Sequence, residues 1–133
     1  MAEHLLDVRN LSVTFHTARG PVRAVRHVSW HLDRGEVLAI LGESGSGKSV
    51  SASAIMDLID CPPGHIDSGE LLFEGRDLLR MGREERRGIN GKRIAMIFQD
   101  PLSHLNPVYT VGWQIEETLI IHGTPRDAAR KET

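Results

Sequence analysis

The sequence has few of the features that mark secreted, membrane-spanning or nucleic-acid-binding chains. Its 133 residues include one cysteine, Cys61, so an internal disulfide is excluded and a reducing compartment is expected. The formal net charge of −2 argues against a general binder of nucleic acid or of anionic membranes. No apolar run approaches the ~20 residues of a membrane span, and the start of the chain lacks a secretory signal pattern. These absences predict a cytoplasmic protein with one modest core.

The most informative stretch is a glycine-rich segment at residues 42–49. It matches the phosphate-binding pattern G-x-x-x-x-G-K-[ST] at every fixed position. An apolar run at 36–41 precedes it with the length of a buried parallel strand, and apolar residues at helical spacing follow it over 49–59. Strand, glycine loop and helix in this order predict a nucleotide-binding loop. Its candidate binding residues are Gly42, Glu43, Ser44, Gly45, Ser46, Gly47, Lys48 and Ser49.

The residue types in this loop suit the phosphates of a nucleoside triphosphate. The three glycines let backbone N–H groups approach the phosphates, and the helix that opens near Lys48 aims its dipole at the same place. Lys48 is expected to reach the β- and γ-phosphates, and the Ser49 hydroxyl to ligate Mg²⁺. Glu43 is expected to point outward, since a carboxylate would repel phosphate. The alternative, a glycine-rich turn that binds nothing, is disfavoured by the flanking strand and helix patterns.

The first third of the chain has the pattern of an antiparallel sheet. Apolar and polar residues alternate over 6–9, 11–15 and 22–32, as in half-buried strands. Further along, the pattern predicts a strand at 68–73, a turn at 74–77 and a solvated helix at 83–90. Basic residues are frequent between 76 and 93, but no aromatic residues are interleaved, so a solvated helix is favoured over a nucleic-acid patch.

A second continuous apolar run at 94–98 predicts another buried strand, which ends at Gln99. Asp100 invites comparison with a Walker B aspartate, but Gln99 holds the first polar position and Pro101 forces an extended exit. The strand is therefore expected to deliver Gln99 to the site. A loop is predicted at 102–110 and a helix at 111–122. A last helix begins at Thr124 and Pro125 with no apolar face formed before the chain stops, which predicts a fragment.

Two further residue types have competing interpretations. Phe15 lies near the end of an early strand, where its ring could stack on adenine, but position alone favours an ordinary strand aromatic.

Among the seven histidines only His27 and His31 share a helical spacing, and both lie in a predicted strand. The histidines therefore predict no metal site.

Taken together, these residues resemble the N-terminal part of an ABC-transporter ATP-binding subunit, most closely one from the dipeptide/oligopeptide importer group. The segments that carry the resemblance are Leu-Ser-Val-Thr-Phe at 11–15, the glycine loop, and Ile-Ala-Met-Ile-Phe-Gln-Asp-Pro at 94–101. Leu-Asn-Pro at 105–107 and Val-Gly-Trp-Gln-Ile at 111–115 point to the peptide-importer group.

The resemblance implies an incomplete α/β fold of the P-loop NTPase, ABC ATPase type. It divides the chain into an antiparallel β part (1–35), a P-loop core through the Q-loop (36–101) and the start of a helical subdomain (102–133). Phe15 resembles the aromatic that stacks on adenine. Gln99 resembles the catalytic Q-loop glutamine that approaches Mg²⁺ and senses the γ-phosphate. His104 is a departure from the pattern, since the resemblance leads us to expect a smaller polar residue at this position.

The resemblance also implies a function. The cofactors would be ATP and Mg²⁺, and the parent protein would couple ATP hydrolysis to uptake of dipeptides, oligopeptides or related small solutes. Its partners would be membrane permease subunits and a second ATP-binding subunit, which place it on the inner face of the cell membrane. No nucleic-acid partner is expected.

The 133 residues lack three motifs that the family needs: a Leu-Ser-Gly-Gly-Gln-type signature, a Walker B aspartate with a catalytic glutamate, and a switch histidine. This chain alone is therefore predicted to be inactive. The alternative is a short, non-catalytic nucleotide-binding or interaction module. An ABC-type DNA-repair ATPase is a weaker alternative because the segment at 105–107 resembles an importer.

Overall fold

The computed structural model describes residues 4–133. The chain divides into two compact units, Met1–Arg86 and Arg87–Thr133, which are described separately.

The first unit is built on a four-stranded antiparallel sheet with the order β2-β1-β3-β4. The alternating patterns of the first third predict its two leading strands, and the structure confirms them. β3 extends four residues upstream of the predicted strand, through a polar stretch that alternation does not reveal. The bounds are β1 Leu6–Thr17, β2 Gly20–Leu32, β3 Gly64–Phe73 and β4 Arg76–Asp77.

β1 is one long strand rather than the two short ones that the sequence predicts. Val8 pairs with Trp30 and Leu11 with Val28, so three residues of β1 advance against two of β2. The extra residue is accommodated by a bulge in which Asn10 adopts a φ of 48°, in the left-handed region. The bulge shifts the alternation by one residue, which explains why the sequence pattern breaks there.

The hydrophobic core of this unit lies along the central strand. Val8, Leu11 and Val13 of β1 and Leu71 of β3 are fully buried. Helix α1 (Lys48–Ile55) contributes Ala54 and Ile55, and ends four residues before the end of the predicted helix. The same sheet that supplies the core therefore lies next to the helix that follows the glycine loop.

The buried strand predicted at 36–41 is not formed. These residues lie outside regular structure, and Val37 and Leu41 are 94% and 92% exposed. A continuous apolar run forms a strand only where a neighbouring strand pairs with it, and it stays buried only where both faces of the sheet are covered. Among residues 4–133 no strand pairs with this run, so its apolar side chains remain in solvent.

Helix α2 (Arg83–Ile89) agrees with the predicted helix at 83–90 and holds the far end of α1. Arg86 is only 4% exposed, and its Nη2 donates hydrogen bonds to the carbonyl oxygens of Ala54 and Ile55. Burial lowers the pKa of Arg86, while the nearby carboxylates of Asp57 and Asp77 oppose that shift. A guanidinium at a helix C-terminus satisfies unpaired carbonyls and is favoured by the helix dipole.

The second unit consists mainly of two helices, α3 (Val111–Ile121) and α4 (Arg126–Glu132). Thr110 caps α3 by accepting a hydrogen bond from the backbone N–H of Trp113 at 3.2 Å, so the predicted helix at 111–122 is confirmed. α4 begins one residue later than its sequence signals indicate, with Pro125 rather than Thr124 at the N-cap. Ala129 of α4 is fully buried in the contact between the two helices.

The second predicted buried strand, at 94–98, is also absent. Only Ile94 makes a bridge, an isolated parallel one with Asn90, and Ile97 is 94% exposed. The physical reason is the same as for 36–41, because no strand among the described residues pairs with this run. None of the helices within residues 4–133 has the length and apolar character needed to cross a membrane.

Candidate functional site

The glycine loop and the start of α1 hold the lysine of the phosphate-binding pattern over the loop. Lys48 is the first residue of α1, and its Nζ donates to the carbonyl oxygens of Gly42 at 2.6 Å and Glu43 at 2.7 Å. The Oγ of Ser46 lies 3.2 Å from the same Nζ. The ammonium group is thereby fixed beside the opening turn of the helix.

Two glycines of the loop have backbone conformations that other residues rarely adopt. Gly45 has a φ of 80°, and Gly47, the N-cap of α1, has a φ of 90°. At Gly47 space is restricted as well, because a β-carbon would lie 2.4 Å from the carbonyl oxygen of Ala24 in β2. The glycines therefore let the loop turn sharply into α1 while resting against the sheet.

A third glycine lets the loop close around the ammonium group. A β-carbon on Gly42 would lie 2.5 Å from Ser46 Oγ and 3.6 Å from Lys48 Nζ, so a larger residue would crowd both groups. Glu43 is exposed, as are the loop residues on either side of it. Ser44 and Ser49 are also exposed, Ser49 in the first turn of α1.

Within residues 4–133 no ion pair neutralises the ammonium group of Lys48. No carboxylate among residues 4–133 forms an ion pair with Lys48, and the first turn of α1 contains no acidic residue. A helix N-terminus carries partial positive charge and unsatisfied N–H groups. Together the ammonium and the helix end form a positive, solvent-accessible cradle whose chemistry suits an anion such as a phosphate chain.

Phe15 lies in the same unit, near the end of β1. It pairs with Val22 on β2 and with Gly64 on β3, and its side chain is half-buried. A β-carbon on Gly64 would come within 3.0 Å of the Phe15 Cε1 atom, so the ring lies close to the Gly64 backbone. Phe15 thus packs against the protein on one side. Part of its side chain stays exposed and could contact a flat ligand.

Gln99 belongs to the second unit. It is exposed and lies between Phe98, whose ring is half-buried, and Asp100, which is also exposed. Asp100 and Pro101 lead into a short 3-10 turn, Leu102–His104, rather than continuing an extended strand. Asp100 therefore lies in a loop, but the extended exit predicted from Pro101 is wrong, because Pro101 has helical backbone angles as the N-cap of that turn.

The structure brings together one cluster that the sequence pattern does not reveal. His4 Nδ1 lies 2.5 Å from an Asp33 carboxylate oxygen, and the His4 ring stacks on His31 with centroids 3.9 Å apart. One ligand atom from each of these three residues lies within 4.8 Å of the others. Two imidazoles and a carboxylate are ligands of the type that divalent transition metals accept. The pairing of β1 with β2 brings them together, a contact that periodicity along either strand cannot show.

The family model that matches the chain is described as ABC transporter and covers residues 25–132. The oligopeptide transport ATP-binding protein OppD of Bacillus subtilis is 52% identical over 128 residues, which are 96% of this chain and 36% of OppD. The dipeptide transport ATP-binding proteins DppD of Haemophilus influenzae and Escherichia coli are 51% and 49% identical over the same share of this chain, covering 38% and 39% of their own lengths. The chain therefore spans less than two-fifths of these curated relatives.

Solved structures agree on the fold. The dimeric bacterial ABC transporter cassette MJ0796 superimposes with a TM-score of 0.78 at 24% identity, over 95% of this chain and 53% of the cassette. The cbiO1 protein of Clostridium perfringens, part of an ABC transporter complex, superimposes with a TM-score of 0.65 at 26% identity, over 97% of this chain and 47% of its own. With the family model spanning most of its length, the chain belongs to the ABC transporter family and has the fold of the N-terminal part of an ABC ATPase cassette.

Proposed function

We propose that this chain is the nucleotide-anchoring part of an ATP-binding subunit in a peptide importer. The observation that carries the proposal is the position of Lys48, whose ammonium is held by the carbonyls of the glycine loop at the start of α1 with no carboxylate partner among the described residues. The parent protein would hydrolyse ATP to drive uptake of dipeptides, oligopeptides or related small solutes. The names of the relatives, oligopeptide and dipeptide transport ATP-binding proteins, support this substrate class.

In this proposal the loop residues divide the work of holding Mg·ATP. Backbone N–H groups of residues 42–49 and the α1 N-terminus surround the phosphates, and Lys48 turns its ammonium from the loop carbonyls toward the β- and γ-phosphates. The Ser49 hydroxyl ligates Mg²⁺, the chemistry of which is to bridge and neutralise the phosphate oxygens. Phe15 stacks on adenine, and Gln99 approaches the Mg²⁺ and the γ-phosphate as the catalytic glutamine.

The proposed partners are permease subunits and a second ATP-binding subunit, so the protein would be attached to the inner face of the cell membrane through other chains. The second unit offers a surface suited to such contact. Val108, Val111 and Ile115 are exposed, and Tyr109 stacks on the exposed Trp113 with ring centroids 4.2 Å apart. Aromatic side chains such as those of Tyr109 and Trp113 are enriched at protein interfaces.

The proposal is tested by measuring Mg·ATP binding calorimetrically on the longest polypeptide that the gene encodes. Lys48→Ala removes the one side-chain charge aimed at the phosphates, so affinity should fall about tenfold to a hundredfold, the loss of a charge-assisted hydrogen bond. Lys92→Ala, an exposed lysine in the second unit, is the matched control and should bind as the wild type does. Equal affinity of the wild type and Lys48→Ala would overturn the assignment.

A further inference from the structure

A smaller polar residue was expected at position 104, and the structure gives the imidazole of His104 specific contacts. The ring stacks on Phe98 with centroids 4.1 Å apart and ring planes 13° from parallel. Its Nδ1 lies 2.7 Å from the backbone carbonyl oxygen of Asp100 and 3.2 Å from Ser103 Oγ. The residues that it contacts at 98 and 100 are the two chain neighbours of Gln99.

Within residues 4–133 these contacts hold backbone that lies outside any sheet. Residues 95–100 belong to no helix or strand, and no ladder among the described residues includes them. The carbonyl of Asp100, just before the 3-10 turn, accepts from Ser103 Oγ at 2.9 Å as well as from His104. The face of the imidazole therefore contacts Phe98, before Gln99, and its Nδ1 contacts Asp100, after Gln99.

We propose that His104 is a positioning residue for Gln99. The inference rests on the proposed function, in which Gln99 acts at the Mg²⁺ and the γ-phosphate. By fixing Phe98 and Asp100, the imidazole restricts the two peptide units that flank Gln99 and so narrows the range of positions open to its amide. A smaller polar residue at 104 could bond to Asp100 but could not also stack on Phe98, so the histidine supplies a second point of attachment.

The geometry also specifies the state of the imidazole. A carbonyl oxygen can only accept a hydrogen bond, so the hydrogen between His104 and Asp100 resides on Nδ1. In the neutral imidazole, Nδ1 therefore carries the hydrogen and Nε2 is unprotonated. Long-range proton–nitrogen NMR of the ring nitrogens reads this tautomer directly. A His104 ring protonated on Nε2 alone would overturn the proposal.

The functional experiment uses the longest polypeptide that the gene encodes and measures kcat and KM for Mg·ATP. His104→Ala removes both contacts and should lower kcat roughly fivefold to thirtyfold with KM nearly unchanged, the factor expected for one aromatic pair and one hydrogen bond. His104→Phe keeps the stack, and His104→Asn keeps an N–H donor, so each should restore part of the loss. His65→Ala, an exposed histidine on β3, is the control and should match the wild type.

A double-mutant cycle with Gln99→Ala separates positioning from general stability. If His104 acts through Gln99, then His104→Ala should have no further effect on kcat once Gln99 is alanine. Additive effects, or wild-type kcat in His104→Ala, would overturn the positioning role while leaving the nucleotide site intact. A Gln99→Ala variant with wild-type kcat would remove the catalytic role of Gln99 and the inference with it. The effect of Lys48→Ala on binding would test the proposed function independently.

Discussion

Gly47 rests directly against Ala24 of the neighbouring sheet, so closely that a β-carbon would stand 2.4 Å from the Ala24 carbonyl oxygen. The contact joins the turn of the phosphate-binding loop to β2. Gly47, the last glycine of the pattern, therefore has two roles. It allows the loop to turn into α1, and it allows the loop to pack against the sheet.

Gly47→Ala should destabilise the protein much more than Gly45→Ala. Both positions have φ values that cost an L-residue about 1 to 2 kcal/mol. A β-carbon at Gly45 meets nothing within 4 Å, whereas at Gly47 it overlaps the Ala24 carbonyl and adds about 1 to 3 kcal/mol. Urea unfolding of both variants measures the difference. Equal free energies of unfolding would show that the loop does not rest on β2 as described.

Phe15→Ala should weaken ATP binding by about 1 to 3 kcal/mol if the ring stacks on adenine. Inorganic triphosphate has no base, so its affinity should be almost unchanged, and Phe15→Tyr should bind ATP as the wild type does. Because the ring also lies against Gly64, a purely structural role makes a different prediction. In that case ATP and triphosphate would weaken together, and calorimetry with both ligands distinguishes the two outcomes.

Arg86→Ala should lower the free energy of unfolding by about 1.5 to 3 kcal/mol. The substitution leaves the carbonyls of Ala54 and Ile55 without their charged donor at the end of α1. Arg83→Ala removes an exposed arginine from the same helix and should cost no more than about 0.5 kcal/mol. Chemical denaturation of the pair tests the prediction, which fails if the two variants lose the same amount.

The 133-residue polypeptide by itself should not turn over ATP. Loop contacts bind the ground state and the transition state nearly alike, and no signature, Walker B acid or switch histidine occurs in its sequence. A phosphate-release assay, with and without an added complete subunit, measures this. Steady release by the polypeptide alone, abolished by Asp100→Asn, would contradict the prediction and would assign Asp100 the role of a Walker B residue.

Local sequence signals predicted the parts of the fold that depend on near neighbours in the chain. Alternation predicted the two strands β1 and β2, and apolar residues at helical spacing predicted α3. The glycine pattern located the turn into α1. Each of these features is decided by residues within a few positions of one another, so the sequence carries enough information to specify them.

Features that depend on distant partners were missed or wrong. The runs at 36–41 and 94–98 have the composition of buried strands, but a strand needs pairing partners, which the described residues do not provide. The burial of Arg86 was also missed, because its basic neighbours made the helix look fully solvated. In the candidate site, the contact of Gly47 with Ala24 was missed because it joins residues of two separate elements.

The stacked pair of Tyr109 and Trp113 has a practical consequence. The protein has two tryptophans, and each compact unit contains one, Trp30 in β2 and Trp113 in α3. Trp30 is half-buried, whereas Trp113 is exposed and lies against a tyrosine ring. Each of the variants Trp30→Phe and Trp113→Phe retains one tryptophan. Their intrinsic fluorescence therefore reports the melting of the helical pair and of the sheet separately, without a label.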